Sequence, residues 1–134
     1  MQVPHATTSA ALVRHELSAD LALHGIAPES IEEVVLVASE LVGNAVRHTH
    51  SPEGTGVGVD WALDDAGVTI WVSDTSPAAP APRNPAPNET GGRGLHIVQA
   101  LTDNWGVRLT NGGKRVWAHV PVRLVRGEPA MSGR

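Results

Sequence analysis

Cysteine, phenylalanine and tyrosine are all missing from this 134-residue chain, and each absence removes a class of explanation. Without cysteine there is no disulfide framework and no thiolate metal site. Four tryptophans are the only large aromatic residues, so the core has to be built from Val, Leu, Ile and Ala in aliphatic layers. An excess of positive charge is missing too. The 14 acidic and 10 basic side chains give a net charge of −4, with no basic stripe of the kind that a phosphate backbone attracts, and direct nucleic-acid binding is not expected. No apolar run reaches membrane-spanning length, and the N-terminus has no basic segment followed by an apolar signal core. A cytoplasmic protein with no membrane association is the expectation. The length suits one domain, over residues 1–122, followed by a flexible C-terminal tail over 123–134.

What is present is strongly patterned. From Thr8 to His24 the apolar residues Ala11, Leu12, Leu17, Leu21 and Leu23 fall at mostly helical spacings, with N-caps offered by Thr7 to Ser9 and a stop at Gly25. Pro28 opens a second helix, with Glu29, Glu32 and Glu33 where the macrodipole favours negative charge, and the pattern runs on to about Thr49. Val57, Val59 and Trp61 then alternate with Gly58, Asp60 and Ala62, and after an Asp64–Gly67 turn the run Val68–Val72 reads as the hairpin partner, delivering Asp74 at its end. Pro77, Pro80, Pro82, Pro85 and Pro87 mark an extended loop that cannot pair in a sheet. A short helix over Leu95–Leu101 follows directly behind glycines, and Gly106–Leu109 with Val116–Val120 forms a last hairpin about a turn at 110–113. There is no internal repeat.

Two segments carry chemistry. At about 100° per residue, Glu40, Asn44 and Arg47 lie in one narrow stripe of the second helix, with Glu33 two turns earlier, while Ile31, Val34, Ala38, Leu41, Val42 and Ala45 cover the opposite arc. Polar groups on the edge of a mostly buried helix either satisfy one another or face a ligand-filled cleft. Spacing alone leaves both open, including a pairing of Glu40 with Arg47. The second segment is Gly91-Gly92-Arg93-Gly94-Leu95. Glycines ahead of a helix let an anion reach the free N–H groups of its first turn, and Arg93 adds a charge-assisted contact. A tight turn into a helix uses the same residues, and no Gly-Lys-Ser/Thr follows to make a Walker A loop. A magnesium ion oriented by Asn44 and bridging phosphates on the 91–94 backbone would use both segments at once.

The ordered set Glu40-x-x-x-Asn44-Ala45-x-x-His48, Asp74, Gly92-Arg93-Gly94-Leu95, Trp105-Gly106 and Gly112-Gly113-Lys114-x-Val116-Trp117 resembles the histidine-kinase-like ATPase superfamily. Within it, the chain most resembles the anti-sigma-factor serine kinases in their small single-domain actinobacterial form, over about Leu12 to Pro121. The resemblance implies a Bergerat-type α+β two-layer sandwich, a mixed, mainly antiparallel sheet with helices on one face, and ATP with Mg2+ held between sheet and lid. It implies that Asn44 binds the magnesium, Glu40 acts as base, Asp74 recognises the adenine amino group, and Gly92, Arg93 and Gly94 contact phosphate, with Arg47, His48 and Leu95 in the same nucleotide-binding set. The proline-rich loop would be the lid. Elementary chemistry agrees: a carboxylate one turn from the metal ligand can accept a proton from an attacking serine hydroxyl, and a carboxylate suits an exocyclic amine better than a carbonyl, favouring adenine over guanine. The implied function is phosphorylation of a serine on an anti-sigma antagonist together with sequestration of a sigma factor, with homodimerisation. The alternative is a nucleotide-gated protein-binding module without kinase activity. A detached sensor-kinase catalytic domain is disfavoured because no dimerisation and phosphoacceptor hairpin precedes the motifs.

Some positions depart from that pattern. Asp74-Thr75-Ser76-Pro77-Ala78 stands where Asp-x-Gly-x-Gly is usual, so the start of the lid is expected to be stiffer. Arg115 stands where a threonine commonly follows Gly-Gly-Lys, removing a hydroxyl that could support the adenine-binding aspartate. The leader before the first helix is only a few residues long, so the first strand and its edge contacts are expected to be missing. Lys114 reads as a solvated turn charge. The histidines at 5, 15, 24, 48, 50, 96 and 119 read as ordinary surface or core residues rather than a zinc site, and Trp61, Trp71, Trp105 and Trp117 as core or interface residues rather than a stacking platform.

Overall fold

The valine and leucine periodicities of the sequence become alternate layers in the computed structural model, which describes residues 1–4, 6–48, 56–74, 90–110 and 113–125. The elements are β1 (Gln2–Pro4), α1 (Ser9–Leu23), α2 (Pro28–His48), β2 (Gly56–Asp64), β3 (Gly67–Asp74), α3 (Thr90–Leu101), β4 (Asn104–Thr110) and β5 (Gly113–Pro121). The proline-rich lid of the sequence reading lies outside the described residues, as does the chain beyond Val125.

In α1 the buried stripe is Val13, Leu17 and Leu21, spaced by four, together with Ser9. Leu12 and Leu23, which the sequence pattern included, are 50% and 85% exposed, because a spacing of four from Val13 leaves both off the core-facing arc. The expected side-chain cap is also absent: Thr8 occupies the N-cap without a capping bond, and the Ser9 hydroxyl instead donates to the carbonyl of Pro4. Gly25, at φ +78°, turns the chain out of the helix. In α2 the residues Val34, Val37, Ala38, Leu41 and Val42 are buried and form the spine of the core.

The sheet has the order β1-β2-β3-β5-β4, and every pairing is antiparallel. The expected two-layer sandwich is present, with one strand more than the sequence suggested. Three residues suffice for β1 because Gln2–Pro4 pair with Gly56–Gly58 and the Met1 ammonium donates to the carbonyl of Val59 at 2.6 Å. Val57, Val59, Val68, Ile70, Val72, Ala118 and Val120 point to one face and are buried. On that face α2 packs against β2, β3 and β5 and also against both α1 and α3. Trp61 ties the layers further, its indole N–H donating to Asp20 of α1 at 2.8 Å.

Arg123, Leu124 and Val125, the opening of the stretch read as a tail, are fastened to the α1–α2 connection. Ala27 N–H donates to the Arg123 carbonyl and Val125 N–H to the Gly25 carbonyl, each at 2.8 Å, and the Arg123 N–H donates to the buried Ser30 hydroxyl. These bonds pin the first turn of α2.

The β2–β3 turn is closed by the Asp64 carboxylate, which accepts from the N–H groups of Ala66 and Gly67. That carboxylate is held below its usual range chiefly by the Ala66 bond, with His119 adding to it. Burial disfavours the charged form of His119, but its contacts with Asp103 at 2.7 Å and Asp64 at 3.4 Å outweigh this and raise its pKa. Gly67 has no room for a side chain, since a Cβ there would collide with the Val120 carbonyl and lie 2.9 Å from the Pro121 Cα. Gly67→Ala is expected to destabilise the fold by at least about 2 kcal/mol, read as a lower denaturant midpoint at unchanged slope. An unchanged midpoint would show that the β3–β5 pair can open at no cost.

Candidate functional site

Connectivity brings three element ends together. The start of α2 is bonded to Arg123, two residues past Pro121, whose strand partner is Gly67 at the start of β3. The helix therefore runs in the same direction as β3, and its C-terminal half, with Glu40, Asn44 and Arg47, lies toward the end of β3 where Asp74 sits. The C-terminus of α3 is fixed at the other end, because the Asp103 N–H donates to the His119 carbonyl and β4 begins opposite His119. The N-terminus of α3 therefore points back toward Asp74 and Lys114. Since α2 and α3 are in contact, the stripe on one and the first turn of the other lie toward the same end of the helix-facing layer.

Within the stripe, Glu33, Glu40 and Asn44 are half-buried and Arg47 is exposed. Asn44 is not idle: its Oδ1 accepts from the Arg47 guanidinium at 2.9 Å. Arg47 folds back over Gly43, where a Cβ would lie 2.9 Å from Nη1. Glycine inside a helix weakens it by about 1 kcal/mol relative to alanine, and here it makes the space in which that guanidinium lies. The pairing of Glu40 with Arg47 that spacing left open does not occur among the described contacts, since Arg47 takes the amide instead.

Asp74 ends β3 on the helix-facing side and is 5% exposed. Its register partners are Val57 on β2 and Lys114 on β5. This corrects two sequence readings. Lys114 is a half-buried strand residue beside Asp74, not a solvated turn charge. Arg115 faces the opposite side of the sheet, its guanidinium 5.3 Å from the centre of the Trp71 ring, so a hydroxyl at 115 could not support Asp74. The signal was available in the sequence: Lys114, Val116, Ala118 and Val120 alternate with period two, and the last two are core residues.

The glycine segment is placed differently from the sequence reading as well. Gly91, Gly92 and Gly94 lie inside α3, which starts at Thr90, rather than ahead of it. The first four N–H groups of a helix have no partner within it, so here the amides of Gly91 and Gly92 are themselves among the free donors of the first turn. The side chains of His48, Arg93 and Leu95 lie outside the described residues, while their backbones belong to α2 and α3. The arrangement as a whole offers a carboxylate and an amide on a buried helix, a buried carboxylate at a strand end, and a helix N-terminus: acceptors for a base and a metal on one side, donors for an anion on the other.

Residues 3–120 match the histidine kinase-like ATPase domain. The solved structure of the RsbU and RsbW domains of Rv1364c from Mycobacterium tuberculosis shares 25% identity, with a TM-score of 0.67 over 94% of this chain and 32% of that one. The histidine kinase domain of the blue-light-activated kinase EL346 from Erythrobacter litoralis, at 24% identity and a TM-score of 0.54 over 70% of this chain and 45% of that one, shares the fold. The chain thus spans less than half the length of these structures. Among curated proteins there is no match. No helix among the described residues is long and apolar enough to cross a membrane. With an antiparallel five-stranded sheet under α2 and α3 and a domain match over nearly its whole length, the chain belongs to the histidine kinase-like ATPase family.

Proposed function

We propose that this chain binds ATP with magnesium in the cleft between α2, α3 and the Asp74 end of the sheet, and that it transfers the terminal phosphate to a serine of an anti-sigma antagonist protein while also holding a sigma factor. One observation carries the nucleotide part: the polar stripe of α2, the free amides opening α3 and the buried Asp74 all lie toward one end of the helix-facing layer. The donor set fits the ligand. A single neutral amide oxygen, that of Asn44, suits a hard cation that keeps most of its water, and its present partner Arg47 is an exposed side chain whose bond is readily exchanged for solvent.

Magnesium, when bound, neutralises phosphate charge during transfer. The rest is the work of the chain. Asn44 holds the metal side, the opening amides of α3 with Gly92, Arg93 and Gly94 take the phosphates, and Asp74 accepts from the adenine amino group. Glu40, one turn before Asn44, takes the proton of the incoming serine hydroxyl on its carboxylate, the step that makes the oxygen a nucleophile. The protein partners follow from the motif resemblance to anti-sigma-factor serine kinases and from the likeness to a structure containing an RsbW domain.

A calorimetric titration with ATP, ADP and GTP, each with and without magnesium, tests the reading. ATP should bind at least about 100-fold more tightly than GTP, because at the position where adenine offers Asp74 an amino donor guanine presents a carbonyl oxygen, a second acceptor facing the carboxylate. Asp74→Asn, whose amide can offer either a donor or an acceptor, should narrow that ratio to within about tenfold. Equal affinity for the two nucleotides in the native chain would remove Asp74 from the base pocket.

A further inference from the structure

The face of the sheet turned away from the helices carries a second recognition feature. Strand alternation places Trp71 of β3, Arg115 and Trp117 of β5, and Arg108 of β4 on it. Trp71 and Trp117 are direct cross-strand partners, and both remain half-buried, with no described element packed over them. Trp117 spreads across Gly106, where a Cβ would lie 3.0 Å from its indole. Arg115 stacks on Trp71, and its Nε is shut off from water without an acceptor among the described residues.

The charge pattern is the unusual part. Arg108 is exposed and stands directly opposite Arg115 on the adjacent strand. Like charges in directly opposed positions weaken a sheet, and the chain as a whole is acidic, so this paired cation is a local feature, and neither arginine takes part in an ion pair among the described residues. Local rules broken without a packing gain are characteristic of functional positions. Across the same face the charge reverses: Asp60 is the direct cross-strand partner of Trp71 on β2, and Asp64 stands at the β2–β3 turn, at 61% and 55% side-chain exposure.

We infer that this face docks a protein segment presenting a carboxylate next to an aliphatic side chain, the carboxylate closing on Arg108 and Arg115 and the aliphatic group lying on Trp71 and Trp117. Two cations and an aromatic pair match one acidic residue with one apolar neighbour. A nucleic acid is the poorer occupant, since its repeating phosphates would also run along Asp60 and Asp64. The sheet itself separates this face from the nucleotide cleft, so the inference does not rest on ATP binding.

The probes are a Glu-Leu alternating octapeptide, its Lys-Leu counterpart and an oligothymidylate of equal length, added to isotopically labelled protein while the indole N–H resonances are followed. The Glu-Leu peptide should shift the resonances of Trp71 and Trp117, leave that of Trp61 in place, and lose affinity as salt is raised. Arg108→Glu should weaken that binding at least about tenfold, while its melting temperature stays equal or rises, because the introduced carboxylate faces Arg115. Arg108→Gln should fall between the two. The inference is overturned if the Lys-Leu peptide or the oligonucleotide shifts the same resonances as strongly, if Arg108→Glu binds the Glu-Leu peptide as tightly as the native chain, or if the Glu-Leu peptide shifts neither resonance.

Discussion

Asn44→Ala is expected to abolish magnesium-dependent ATP binding, with a loss of at least about 100-fold, or roughly 2.7 kcal/mol, in calorimetric affinity. The expectation is sharp because little else changes. Alanine is the best helix former, the position is half-buried rather than core, and the only described partner of the amide oxygen is the exposed Arg47. Losing that surface hydrogen bond alters stability by no more than about 1 kcal/mol. Arg47→Ala removes the same hydrogen bond from the other side, and, although Arg47 stands in the nucleotide-binding set and its loss lowers overall affinity, binding should remain tighter with magnesium than without. If the Asn44 variant still binds ATP more tightly with magnesium than without, and by the native factor, the metal is held elsewhere and the assignment of the α2 stripe fails with it.

What could be read ahead of the structure was what local periodicity encodes. The bounds of α2 and of the β2–β3 hairpin follow from helical and alternating patterns confined to short stretches of chain, with Pro28 opening the helix and Asp64 closing the turn. What could not be read depends on distant partners. Strand β1 is too short for any periodic signal, and it exists because residues 56–58 offer it an edge. The sequence places the start of α3 too late because glycine is a poor helix former, yet the helix as a whole packs against α2 and β5 and extends back through the glycines to Thr90, the usual way tertiary contacts override propensity. For the site, Glu40, Asn44 and Asp74 were all found as candidates from spacing and motif. The sequence reading puts position 115 beside Asp74, where the register places Lys114, because a one-residue error in strand parity moves a side chain to the other face of the sheet. The consequence is substantial: the neighbour of the buried Asp74 is a cation rather than a lost hydroxyl, and the arginine belongs to the opposite surface with Trp71.

Glu40→Gln separates the two functional classes that the fold accommodates, because it keeps size and hydrogen-bonding reach while removing the capacity to take up a proton. As a general base, Glu40 should be worth about 10²–10⁴ in rate. Transfer of labelled terminal phosphate from ATP to a panel of candidate antagonist proteins should therefore fall by that factor in the variant, while ATP affinity changes by less than about threefold. The contrast with Asn44→Ala is the informative part, since one substitution should remove binding and the other only chemistry, although the two side chains sit one turn apart on the same helix. A chain that labels no antagonist in either form, yet binds ATP, would instead be a nucleotide-gated binding module, in which Glu40 contributes charge to the cleft and no proton transfer. Labelling at the native rate in Glu40→Gln would leave the kinase reading standing and take the base from this carboxylate. The half-buried Glu33, two turns earlier in the same stripe, would then be the next carboxylate of α2 to substitute.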